Sequence, residues 1–98
     1  MKMNPRPFLV LDTVDNVATA ISDISAGVEL HTDWGEVQIL NDIEFGHKFA
    51  VQDIPKDSYV IKYGVKIGRA SRDIKQGEHV HVHNVADIVN EIRAGNVR

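Results

Sequence analysis

Apolar and polar residues alternate with period two in several short stretches of this chain. Glu36-Val37-Gln38-Ile39-Leu40 alternates, and Val65-Lys66-Ile67 alternates again before Gly68. Tyr59-Val60-Ile61-Lys62-Tyr63 is rich in β-formers and stops at Gly64. A strand sends successive side chains to opposite faces, so each stretch reads as a half-buried strand. Val17-Ala18-Thr19-Ala20-Ile21 suits strand or helix by composition. Only the tail has helical spacing, with Val85, Ile88, Val89 and Ile92 on one side of a helix running to Arg93. Ala94-Gly95-Asn96 can end it.

A spaced phrase recurs between these stretches. It reads Ala20-Ile21-Ser22-Asp23-Ile24-Ser25-Ala26-Gly27, then Ala50-Val51-Gln52-Asp53-Ile54-Pro55-Lys56-Asp57, then Ala70-Ser71-Arg72-Asp73-Ile74-Lys75-Gln76-Gly77. An apolar residue follows each copy, at Leu30, Val60 and Val80. Each copy reads as strand, turn, strand, which also favours strand for Val17 to Ile21. Asp57 replaces glycine because aspartate is among the few other residues that tolerate positive φ. The uneven spacing excludes a stacked solenoid and suits one irregular β-domain. Asp23, Asp53 and Asp73 are expected to stabilise their own turns as Asx devices, in preference to binding metal.

Gly77-Glu78-His79-Val80-His81-Val82-His83-Asn84 carries the most chemistry. In a strand His79, His81 and His83 share one face and the valines the other. At about 3.3 Å per residue His79 and His83 lie roughly 13 Å apart, so one ion cannot take all three from a regular strand. Two neighbours can share a metal at about 2.1 Å, with further ligands from His47, His31 or another chain. A solvent-facing strand with merely polar histidines fits the same spacing.

The chain has 98 residues, which fits one domain with a core from about 12 to 85 and a tail or helix from 86 to 98. Its net charge is -3 and its basic residues are scattered, which argues against nucleic-acid binding. It has no cysteine, so disulfides and thiolate metal sites are excluded. Phe8-Leu9-Val10-Leu11 is too short for a signal-peptide core or a membrane span, and a cytoplasmic protein is expected. No Ser-His-Asp pattern, phosphate loop or GxGxxG is present.

Five segments together resemble the SAF-type domain of the altronate and galactarate dehydratase family. They are Asp15-Asn16-Val17-Ala18-Thr19-Ala20, Phe45-Gly46-His47-Lys48-Phe49-Ala50, Ile61-Lys62-Tyr63-Gly64, Ile67-Gly68-Arg69-Ala70 and Gly77 to Asn84. The resemblance implies a mainly β, SAF-like β-clip fold, here with a short C-terminal helix. It implies a role in removing water from acid sugars such as altronate or galactarate to give 2-keto-3-deoxy acids. It further implies a divalent metal, commonly iron or manganese, and a large catalytic subunit as partner. The chain stops soon after the histidine block, so it is expected to be a stand-alone small subunit, inactive alone, or an excised domain. Sulfolactate sulfo-lyase, which eliminates sulfite, has a small subunit of the same type. A non-catalytic binding or lid module is the alternative from another class. A homo-oligomer is allowed for in isolation.

Dehydration of a hydroxy acid removes a weakly acidic α-proton and expels a poor leaving group. A divalent cation stabilises the charge that develops, and an imidazole near neutral pKa moves the protons. The candidate metal ligands are His79, His81 and His83. The candidate catalytic residues are His81 and His47, and the candidate substrate contacts are Lys48, Lys62 and Asn84, since a lysine beside the site can hold a carboxylate. Tyr63 comes next to Lys62. His31 and Trp34 are assigned no role.

Overall fold

The recurring phrase is what the fold is built on. The computed structural model describes residues 6–95; Asn96, expected to help end the tail helix, lies outside them. Asp42-Ile43-Glu44-Phe45-Gly46 proves to be a fourth copy, with Ile39 where the other three have alanine. The copies associate in pairs. Ile24 bridges Ile43 and Ile54 bridges Ile74, each pair exchanging two N–H···O bonds of 2.8 Å.

The aspartates act across these pairs and not within their own turns, which corrects the local Asx reading. Asp42 Oδ1 accepts from Ala26 N–H at 2.9 Å and Asp23 Oδ1 accepts from Phe45 N–H at 2.9 Å. Asp73 Oδ1 accepts from Lys56 N–H and Asp53 Oδ1 from Gln76 N–H, both at 2.8 Å. Each turn closes on a residue with positive φ, 92° at Gly27, 86° at Gly46, 73° at Asp57 and 88° at Gly77. Asp57 takes the glycine conformation, as its place in the phrase requires.

Short antiparallel strands grow from this frame. They are β1 (Phe8–Leu9), β2 (Val17–Ala20), β3 (Glu29–Thr32), β4 (Gly35–Gln38), β5 (Lys48–Ala50), β6 (Tyr59–Lys62), β7 (Val65–Ala70), β8 (His79–Val80) and β9 (Val85–Ala86). They form one sheet in the order β1-β2-β5-β8, a β3-β4 hairpin, and a third sheet in the order β6-β7-β9. The chain is thus mainly β, and the segment from Val17 is a strand.

Two apolar clusters lie inside. The first gathers Phe8, Ala18, Ile24, Val37, Ile43 and Phe49, with Phe8 and Phe49 edge to face at 5.6 Å. The second gathers Val17, Ile54, Val60, Ile74 and Val80. Burial of these branched side chains supplies most of the drive to fold.

The tail helix α1 spans only Val89–Arg93, shorter than its sequence pattern suggests. Val85 and Ala86 are drawn into β9, opposite Ala70 and Arg69 of β7. A polar clamp then holds α1 to the sheet. Arg69 Nε donates to Glu91 Oε2 at 2.9 Å, and Tyr59 Oη donates to Glu91 Oε1 at 2.7 Å. The guanidinium also lies over the Tyr59 ring, 4.1 Å from its centroid.

Candidate functional site

The pairing of β5 with β8 assembles the histidines. Its register sets Phe49 opposite His79 and Lys48 opposite Val80. Continued one step beyond the strand ends, the same register brings His47 opposite His81. Their rings stack 4.2 Å apart, 12° from parallel. His79 stacks with His47 at 5.1 Å and with His81 at 5.5 Å.

The expected strand through His83 ends at Val80, and residues 81–84 form a turn. Asn84 makes it. Its side chain is fully buried, its Oδ1 accepts from His81 N–H at 2.9 Å, and its Nδ2 donates to His79 O at 2.8 Å. Asn84 therefore spends its amide on the backbone that carries His79 and His81, and presents no polar atom to a substrate. The turn also shortens the spread of the histidines. The His83 ring is exposed but only 5.2 Å from His79, tilted by 33°.

His47, His79 and His81 each offer a ring nitrogen, and these atoms all lie within 4.8 Å of one another. The closest approach is His47 Nδ1 to His79 Nε2 at 2.9 Å, a hydrogen bond when one of the two nitrogens carries the proton. Two adjacent octahedral ligands, each about 2.1 Å from one ion, are about 3.0 Å apart, so the spacing suits a shared metal. All three side chains are half-buried. Glu44 lies on the other side of His47, with Oε1 3.5 Å from Nε2.

Burial holds His79 below the ordinary histidine range, helped by the nearby His83, His47 and His81 and opposed by Glu44. His81 is lowered as well, by burial first and then by His47, Lys48 and His83. Both shifts favour the neutral imidazole, which is the form that binds metal. Lys48 is also pushed down, by burial and then by the charge of Lys62. The two lysines therefore act on the same region. Among the described residues neither makes an ion pair.

Lys62 precedes a tight turn in which Tyr63 and Gly64 both have positive φ, 58° and 72°. That combination is a type I′ hairpin turn, and a tyrosine there is strained. The buried Asp15 carboxylate holds it by accepting from Tyr63 N–H at 3.0 Å and Gly64 N–H at 2.7 Å. Asn16 fixes the adjoining strand by accepting from Ile61 N–H at 2.8 Å and donating to Tyr59 O at 2.9 Å. The sequence reading gave neither residue a role. The signal was a polar pair set directly before the apolar run of β2.

A groove of about 330 Å³ opens beside the histidines. Lys48, His81 and Asp87 line it together with Ile67, Val82, Val85 and Ala86. His31 lies elsewhere, paired with Glu36 at 2.6 Å, and takes no part in the cluster. Among the described residues no helix is long and apolar enough to cross a membrane.

Comparison with known proteins places the chain in a family. The family model for the altronate/galactarate dehydratase SAF domain matches residues 6–88. The chain is 40% identical to an altronate dehydratase of Bacillus subtilis over 88 residues, covering 90% of this chain and 18% of that protein. It is 41% identical to an altronate dehydratase of Escherichia coli over 85 residues, covering 87% of this chain and 17% of that one. It is also 39% identical over 85 residues to the (2R)-sulfolactate sulfo-lyase subunit alpha of Chromohalobacter salexigens, covering 80% of this chain and 90% of that subunit. The chain thus spans less than a fifth of either altronate dehydratase, yet nearly the whole of the sulfo-lyase subunit. On the match over residues 6–88, the chain belongs to the altronate/galactarate dehydratase SAF-domain family.

Proposed function

We propose that this chain is the small subunit of a metal-dependent sugar-acid dehydratase of the altronate type, working in the cytoplasm with a large catalytic subunit. The observation that carries the reading is the convergence of His47, His79 and His81, with ligand nitrogens within 4.8 Å. Three half-buried imidazoles suit a divalent cation of the first transition row, iron or manganese in this reading. When bound, such an ion acts as a Lewis acid on a carboxylate or a departing hydroxyl.

The chain's own residues have separate tasks. His47, His79 and His81 hold the ion, and His83 stands at the rim within reach of the same region. Lys48 and Lys62 are cations without a carboxylate partner among the described residues and attract the substrate's acid group. Asn84 sets the His79–His81 backbone, and Asp15 sets the Lys62–Tyr63 turn. Neither needs to touch substrate.

One observation favours a second reading. A sulfo-lyase subunit alpha is matched over 90% of its length, so a chain of this size also suits elimination of sulfite. Purification of the tagged chain from its own cells, with partners identified by mass spectrometry, decides between these readings. The eluate would be assayed on altronate, galactarate and sulfolactate. A stoichiometric large chain with activity on a sugar acid supports the dehydratase. Activity on sulfolactate alone moves the assignment to the sulfo-lyase. Recovery of the chain without a large partner or any elimination activity overturns both and leaves a binding or lid module.

A further inference from the structure

The groove beside His81 is walled largely by aliphatic side chains. Ile67, Val82, Val85 and Ala86 line it, with Lys48, His81 and Asp87 as the polar residues among them. Sugar-acid hydroxyls set against these four aliphatic side chains would lose water without gaining a hydrogen-bond partner. Val82 stands at the tip of the turn between His81 and His83 and is 82% exposed, and Ile67 is 38% exposed. An apolar wall this open, contiguous with the histidine cluster, is the kind of surface that proteins cover.

We propose that this groove seats an apolar segment of the large catalytic subunit, so that the partner docks directly against the His81 turn and closes the histidine site. The inference rests on the subunit reading above. The choice of occupant follows from size and chemistry. The matched altronate dehydratases devote only 18% and 17% of their length to this domain, so the rest of such an enzyme is the large body available to cover it. The matched sulfo-lyase chain has nearly this chain's extent and is named a subunit, so that body can also reside on a separate chain. The groove is open on one side and the three clustered histidines beside it are only half-buried, whereas a substrate site buries most of its ligand. A partner seated on Val82 supplies the missing wall.

The test uses the full chain in its own cells. A photo-crosslinking amino acid replaces Val82, or, in a control, Val28, which is exposed at the start of the β3–β4 hairpin and does not line the groove. Cross-linked products are identified by mass spectrometry. The proposal expects position 82 to cross-link to the large chain and position 28 not to. It also expects Val82→Asp to reduce the co-purified large chain at least tenfold, with thermal unfolding of the isolated chain unchanged because the side chain is exposed. A complex that forms normally with Val82→Asp, or without a cross-link from 82, overturns the docking site while leaving the subunit reading intact. Cross-links between two copies of this chain would make the occupant a second copy. Galactarate-induced NMR shifts confined to the Ile67, Val82 and Val85 methyls would make the groove a substrate site; both outcomes contradict the proposal. Absence of any large chain overturns the subunit reading and this inference with it.

Discussion

Asn84→Ala removes the side chain that shapes the histidine turn, and its cost can be worked from the contacts. The amide makes two hydrogen bonds, 2.9 Å from His81 N and 2.8 Å to His79 O, at a fully buried position. A buried hydrogen bond contributes about 1 kcal/mol net, and a backbone group left without a partner costs about 1–3 kcal/mol. With partial rehydration of the turn, the expected loss is about 2–4 kcal/mol. For a chain of this size the unfolding entropy is about 0.2 kcal/mol/K, so Tm falls by roughly 10–20 °C. That leaves a folded majority if the parent stability is ordinary, about 5–15 kcal/mol at best. The second consequence concerns the site. Groups that orient metal ligands change affinity by about 10–100-fold when removed. Urea unfolding followed by circular dichroism gives the first number, and cobalt titration of the folded variant gives the second. A loss below about 0.5 kcal/mol together with unchanged cobalt affinity would refute the positioning role and return Asn84 to a direct contact.

Other expectations follow from the same geometry. Gly77→Ala should abolish stable folding, because the residue has φ of 88° and an added Cβ would sit 1.9 Å from Gln38 O; Gly27→Ala, at φ 92° with nothing within 4 Å, should cost only the backbone strain of about 1–2 kcal/mol. Thermal melts of the two variants make that comparison directly. Burial lowers the pKa of His79 and His81 in the fold, so the folded state binds fewer protons than the unfolded chain. Stability should therefore be fully present above about pH 6.5 and decline as pH falls from there toward the lowered folded values, which urea midpoints across this range would read. A midpoint that rises on acidification through that window would contradict the assignment. Glu91→Gln should weaken the clamp from α1 to Arg69 and speed amide exchange in Val89–Arg93 while leaving β5 and β8 protected.

The fold was legible wherever the pattern was local. Period-two alternation marked β4 and β7, a run of β-formers marked β6, and the recurring Asp-Ile phrase marked the turns, including the positive φ of Asp57. The fourth copy escaped because Ile39 stands at the alanine position of the other three. The cross-copy role of the aspartates escaped because a turn donor and its acceptor lie in different copies, and a linear reading pairs each carboxylate with its nearest backbone. The same limit governs the histidines. Alternation at His79, Val80, His81, Val82 and His83 spells a strand, but one buried asparagine turns the chain after Val80. Sequence spacing put His79, His81 and His83 on one face and left His47 as one of several further ligands, and the β5–β8 register brings His47 beside His81. Lys48 and Lys62 were legible as candidates only through neighbouring motifs, and their mutual influence needed the sheet to fold.

The most direct test of the account is a cobalt(II) titration of the isolated chain near neutral pH, read by visible absorption and isothermal calorimetry on wild type and on His47→Ala, His79→Ala, His81→Ala and His83→Ala. The account predicts one ion per chain for wild type. It further predicts a loss of affinity of at least tenfold for alanine at 47, 79 or 81, and a much smaller effect at 83. Wild type that takes no metal, or a site that survives loss of His47 but collapses with His83, would contradict it.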